Sequence, residues 1–169
     1  MDTYTVLIPL DGSDFSQRIL TPIRRFLPPD RARLILYHVE RESQGLLPEP
    51  PRPATPDADI PMYETHRDAD RARHPIYATQ EDESRRAQAV ASLEGLRRSL
   101  ETEGYQVQIE VGFGDDPGAE IVNYVTYKDI DLVAMTTHGR SGLSKLLFGS
   151  VAEEVFRQVR VPVLLLRPF

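Results

Sequence analysis

Short apolar runs alternate along the chain with longer stretches in which apolar residues recur about every three to four positions. Tyr4 to Leu10 (YTVLIPL) is rich in β-formers and stops at Asp11-Gly12-Ser13-Asp14, which predicts a strand and a turn. Pro9 suits the end of such a strand better than its middle. Phe15, Ile19, Leu20, Ile23 and Phe26 form a helical stripe, so a helix is expected to about Phe26. Ser13 or Asp14 can cap it, and Pro22 should kink it. Pro28-Pro29 ends it, and Arg33 to Val39 reads as the second strand. Glu81 to Glu103 predicts the longest helix, with Ala87, Val90, Ala91, Leu93, Leu96 and Leu100 as its apolar face and Gly104 as its stop.

Gln106 to Val111 alternates apolar and polar residues, as an outer strand does. Gly112 to Gly118 reads as a turn, with Pro117 near the start of a helix that runs to about Tyr127 and turns Ile121, Val122 and Val125 inward. Leu132 to Met135 is a continuous apolar run that ends in Thr136-Thr137-His138-Gly139. Ser150 to about Gln158 is the last helix and Val161 to Leu166 the last strand. Both of these final strands read as doubly buried. Strands alternating with helices imply an α/β fold: a mainly parallel sheet with helices on both faces.

Residues 41 to 80 break the pattern. Seven of the fourteen prolines fall between Pro48 and Pro75, and charges of both signs replace apolar periodicity. This reads as a Pro-rich insertion after the second strand, within a single domain spanning 1–169. A surface for a protein partner is one use for it; a plain surface insertion is the other.

The junction after the fourth strand carries the chemistry. Strand, glycine-containing loop and helix N-terminus together suit an anion, because glycine lets backbone N–H groups approach and the first helical turn has N–H groups to offer. Gly139, Gly149 and Ser150 are the phosphate candidates, with Arg140 and Lys145 as the added positive charges. Ser150-Val151-Ala152-Glu153 is also a capping box, so Ser150 has a purely local role available. Asp11 reads either as a ligand residue or as an ordinary turn aspartate. His138 reads as a hydrogen-bonding loop residue. Gly112-Phe113-Gly114 fails as a dinucleotide fingerprint because Pro117 stands at the last glycine position. There is no GxxxxGK[ST] sequence.

The stretch from Thr136 to Ser150 resembles the universal stress protein family. Nucleotide-binding members carry Gly, two residues, Gly, nine residues, Gly, then Ser or Thr; this chain has Thr136, Gly139, Gly149 and Ser150 at that spacing. Val6 to Ser16 (VLIPLDGSDFS) and Val161 to Arg167 (VPVLLLR) share the resemblance, which spans the chain outside 41–80. It implies a Rossmann-like sheet of five strands in the order 3-2-1-4-5. It implies ATP or another adenine nucleotide lined by Pro9, Asp11, Val39, Met135, Thr136, Gly139, Arg140, Gly149, Ser150 and Val151. Asp11 would lie against ribose or base and the Val39 backbone against adenine. Thr136 departs from the pattern, since the first glycine stands there in nucleotide-binding members. The resemblance also implies a homodimer through Val161–Leu166.

Composition narrows the alternatives. The chain of 169 residues has no cysteine, so no disulfide framework or thiolate chemistry is expected. A net charge of −6 disfavours nucleic acid as partner. No apolar run is long enough to span a membrane and MDTYTVLIPL is no signal peptide, so a cytoplasmic location is expected. No His/Cys cluster argues for a protein-held metal; Mg²⁺ would come with ATP, held by phosphates and water. No general base or nucleophile is positioned, so any ATP hydrolysis would be slow. The expected function is a regulatory, dimeric nucleotide-binding protein of the stress response. A nucleotide-independent interaction protein of the same fold is the second reading, and a nucleotidyl- or phosphoryl-transfer enzyme the third.

Overall fold

A computed structural model of the chain describes residues 3–40, 75–137 and 149–167. The chain divides into two units, 1–42 with 86–169, and 43–85. In the second unit, residues 75–85 are helical. In order, the elements are β1 (Tyr4–Pro9), α1 (Asp14–Gln17), α2 (Leu20–Phe26), β2 (Ala32–Glu40), α3 (Pro75–Thr102), β3 (Gln106–Phe113), α4 (Pro117–Tyr127), β4 (Leu132–Thr136), α5 (Ser150–Gln158) and β5 (Val163–Leu166).

The five strands lie in the order β3-β2-β1-β4-β5, as the resemblance implied, and every pairing is parallel. Residue alternation gives the sheet two apolar faces. Val6, Ile8, Leu34, Leu36 and Ala134 pack under Ile19, Leu20, Ile23, Leu93 and Leu100 on one face. Leu7, Ile35, Tyr37, Val133 and Met135 pack under Ile121, Val125, Ala152 and Val155 on the other. Each buried valine, leucine, isoleucine or methionine among them contributes about 1.5–3 kcal/mol on burial. Asp131 fastens the start of β4 to β1: its N donates to Thr5 O (2.9 Å) and its Oδ2 accepts from Thr5 N (2.7 Å).

Several expectations change. The helix expected from Asp14 to Phe26 is two helices, broken at Arg18-Ile19. Pro22 is the cause: its missing N–H is harmless in the first turn of a new helix but not in the middle of a long one. The break ends the common stripe, and Phe26 is left 67% exposed. Ser13 is the cap, with Oγ accepting from Ser16 N at 3.1 Å. Helix α3 begins at Pro75, so the insertion expected to reach residue 80 stops earlier; a proline is well tolerated in a first helical turn. The remainder of the insertion, 41–74, lies outside the described residues. The inward positions of α3 are Ala89, Leu93, Leu96 and Leu100, while Ala87 and Ala91 face solvent.

Strand β3 runs on through Gly112 and Phe113, which pair with Val39 and Glu40, so the turn begins only at Gly114. It is an outer strand, as its alternation predicted. Strand β4 is buried as expected, but β5 is an edge whose four residues are all half-buried. It starts at Val163 rather than Val161, after Pro162, which lacks an N–H for the ladder and offers its carbonyl to Val133 N (3.0 Å). Among the described residues, no helix is long and apolar enough to cross a membrane.

Candidate functional site

In a parallel sheet ligands bind beyond the carboxyl ends of the strands, where neighbouring crossovers leave in opposite directions. Here that place lies between β1 and β4: β1 leads toward β2 on one side, and β4 leads toward β5 on the other. Val6↔Leu132 and Leu7↔Val133 set the register, which carried forward puts Pro9 beside Met135.

Beyond Leu10 the chain turns. Asp11 Oδ1 accepts from Ser13 N (2.9 Å) and from Ser13 Oγ (2.6 Å), while Gly12 takes φ +83°. A left-handed residue inside an aspartate-closed turn favours glycine, and this turn presents Asp11 at the sheet's carboxyl edge. The turn role weighed for Asp11 is therefore present, and it also fixes the carboxylate in place. Val39 lies at the end of β2, opposite Gly112. Met135, 6% exposed, and half-buried Thr136 close β4, paired with Leu165 and Leu166. Thr137 is 3% exposed, and its N donates to Leu166 O (2.9 Å).

Gly149 is the N-cap of α5 and supplies no side-chain cap, while Ser150 is the first helical residue and is exposed. The capping box expected at Ser150 is thus not formed with Ser150 as cap: the cap position falls one residue earlier, and Glu153 N bonds to Gly149 O at 2.9 Å. Because α5 returns the chain to the start of β5, parallel to β4, the helix N-terminus points toward the carboxyl edge of the sheet. Val151 is half-buried in its first turn. Gly139, Arg140, Lys145 and His138 lie outside the described residues. The structure thus gathers Pro9, Asp11, Val39, Met135 and Thr136 along one edge, with the first turn of α5 directed toward it. Among the described residues, no group of His, Cys, Asp and Glu is arranged to hold a metal.

Two features at this end of the sheet went unread in the sequence. His38 Nδ1 lies 2.8 Å from Leu10 O, and its Nε2 lies 3.3 Å from Glu40 Oε1. A histidine just before the end of a strand at the switch-point edge was the available signal. On the opposite face of the sheet, the Tyr37 and Tyr124 rings pack at 4.5 Å between centroids, tilted by 36°. With Glu120, Asn123, Tyr127 and Lys128 they line an open cleft of about 240 Å³. Burial, then the charge of Glu120, pushes the Tyr37 hydroxyl up to about 12.

The model of the universal stress protein family matches residues 3–167. The chain is 25% identical to the universal stress protein YxiE of Bacillus subtilis over 162 residues, 96% of this chain and 97% of that one. A universal stress protein solved in complex with cAMP is similar in fold, with TM-score 0.58, 20% identity and coverage of 99% of this chain and 98% of the other. So is a family member from Arabidopsis thaliana solved with AMP bound, with TM-score 0.59, 15% identity and coverage of 98% and 92%.

Proposed function

The chain belongs to the universal stress protein family, and from that premise we propose that it binds an adenine nucleotide, ATP or a relative, as a regulatory module of the stress response. The observation that carries this reading is the pairing of β1 with β4, which sets the Asp11 turn beside the end of β4 at the switch point. The uncapped start of α5 supports it, since N–H groups in a first helical turn suit phosphate. So do the related folds solved with cAMP and with AMP.

In this reading Asp11 meets the ribose or base and Val39 the adenine through its backbone, with Pro9 and Met135 as flanking walls. Gly149, Ser150 and Val151 meet phosphate, joined by Gly139 and Arg140. Mg²⁺ would accompany ATP on phosphate and water oxygens. The nucleotide acts as a ligand: Asp11 is already engaged by Ser13, and among the described residues at this edge no side chain is placed to activate water. Binding changes the loop before α5 or a subunit surface, and so a partner's affinity. The half-buried edge β5 supports a homodimer, because covering a bare edge strand removes its exposed hydrogen-bonding groups. A cytoplasmic setting agrees with this role.

One observation favours a second reading, a nucleotide-independent interaction protein of the same fold. Thr136 puts a side chain at the end of β4 where nucleotide-binding members have glycine. The experiment that separates the two is a thermal shift with ATP and Mg²⁺, alongside the nucleotide content of the purified protein. Ligand at a hundred times its dissociation constant should stabilise by about 2.7 kcal/mol, a rise of roughly 5–10 °C for a chain of this size. Gly149→Val should abolish the rise. No bound nucleotide, with no rise from ATP, ADP, AMP or cyclic nucleotides, would leave the second reading standing.

A further inference from the structure

The β1–β2 ladder stops at the edge where Val39 lies. Pairing runs from Tyr4↔Ala32 to Pro9↔Tyr37. One residue further, Leu10 N still donates to Tyr37 O at 2.8 Å. In a parallel pair, a residue that donates to position 37 next accepts from position 39. The bond due here would run from Val39 N–H to the Leu10 carbonyl. That carbonyl instead lies 2.8 Å from His38 Nδ1. A carbonyl only accepts, so Nδ1 carries the proton. Among the described residues, β1–β2 pairing goes no further than Pro9↔Tyr37.

The direction of the Val39 amide follows from its neighbours. Tyr37 O accepts from β1, while Glu40 O accepts from Gly114 N (3.1 Å) just beyond β3. Odd-numbered residues at this end of β2 therefore bond toward β1 and even-numbered ones toward β3. The Val39 N–H points to the β1 side, at the carboxyl edge, and the Leu10 carbonyl is bonded to a side chain. Glu40 Oε1, 3.3 Å from Nε2, flanks the far side of the same ring and forms an ion pair whenever the ring takes a second proton.

We propose that the His38 ring holds the Leu10 carbonyl out of the ladder and so keeps the Val39 N–H available as a hydrogen-bond donor to the base of a bound nucleotide. His38 is then a positioning residue for two contacts, since Leu10 also leads directly into Asp11. The ligand part of this inference rests on the nucleotide-binding reading above.

The test uses the full chain and two variants. His38→Leu removes both ring nitrogens at similar bulk. His38→Asn keeps an N–H donor near the position of Nδ1. Residue-resolved amide exchange is followed with and without AMP, and AMP affinity is measured by calorimetry. In the wild-type protein the Val39 amide should exchange quickly without nucleotide and become protected when AMP is added. In His38→Leu the Val39 amide should already be slow without AMP, having closed onto Leu10, and AMP should bind roughly tenfold more weakly, about 1.4 kcal/mol. His38→Asn should restore both. A role in stability alone would lower the melting temperature in the variants without slowing Val39 exchange.

Two results overturn the inference: a Val39 amide in the free wild-type protein as slow as that of Tyr37, or His38→Leu binding AMP as tightly as wild type. A wild-type protein that binds no adenine nucleotide overturns the proposed function instead. Exchange without ligand then still decides whether His38 keeps the Val39 amide off the ladder.

Discussion

Gly112 and Tyr37 occupy each other's space: a Cβ on Gly112 would collide with the Tyr37 hydroxyl. The tyrosine cannot easily swing aside, because it is 3% exposed and packed against the Tyr124 ring. Gly112 is therefore a packing glycine inside β3, where glycine otherwise weakens a strand. Gly112→Ala should destabilise the fold by about 1–3 kcal/mol, the usual cost of overpacking. Tyr37→Phe in the same chain should recover part of that loss. Urea unfolding of the two single variants and the double variant measures the coupling.

Tyr37 also predicts the alkaline limit of the fold. Burial first, then Glu120, Tyr124 and Glu110, hold its hydroxyl protonated to about 12, whereas an unfolded tyrosine ionises near pH 10. Between those values the unfolded chain gives up a proton that the folded one keeps. The Tyr37 contribution is therefore complete below pH ~10 and is lost as pH rises through about 12. Phenolate absorbance should show a late-titrating tyrosine that unfolding releases and Tyr37→Phe removes.

Arg24 and Glu103 tie α2 to the residue that follows α3, with two N–H to carboxylate contacts of 2.7 Å. The hydrogen bond from Arg24 holds the Glu103 carboxyl below its ordinary range. Its contribution is present above the ordinary carboxylate pKa and is lost as pH falls through the lowered one. Both side chains are more than a third exposed, so the pair is worth about 0.2–1 kcal/mol. Glu103→Gln should cost that much at neutral pH, and salt should shrink the difference. It should also flatten the acid side of the stability profile.

Thr136 separates stability from ligand affinity. In the strand it pairs with Leu166, and glycine there should cost about 0.5–1 kcal/mol in backbone freedom. The same change removes a Cβ and a methyl at the end of β4 beside the proposed site. Thr136→Gly should therefore melt lower without ligand and bind ATP more tightly. Calorimetry checks the second half; equal affinity would mean that only the backbone at 136 meets the nucleotide.

Most of this architecture was legible because its elements differ in period. Val133, Ala134 and Met135 are apolar without interruption and are buried on both sides of the sheet, while the alternation of Val107 and Ile109 with polar residues marked an outer strand. The errors fell where several residues were equally apolar or where one proline outweighed a stripe. Ala87, Ala89 and Ala91 look alike in sequence, and only packing against the sheet picks out Ala89. Val161 to Leu166 reads as interior because the run carries no polar or charged residue, yet topology puts β5 at the edge. At the site, Asp11 and Gly149 announced themselves through turn and helix-start chemistry. His38 did not, because its part is a hydrogen bond to a backbone carbonyl of another strand, which leaves no trace in local spacing.

The pairing of Val6 with Leu132 has a consequence for how the protein is made. Strands β1, β2 and β3 can come together while the chain is still leaving the ribosome, but the crevice beside β1 does not exist until β4 has been synthesised and inserted. Such distant pairings form late, because a long loop must close before they gain anything. A nucleotide bound at the proposed site would therefore stabilise only a chain in which β4 is in place. On the proposed function, variants that fail early in synthesis should remain insoluble however much nucleotide the cell contains, while those weakened only after completion should respond to it.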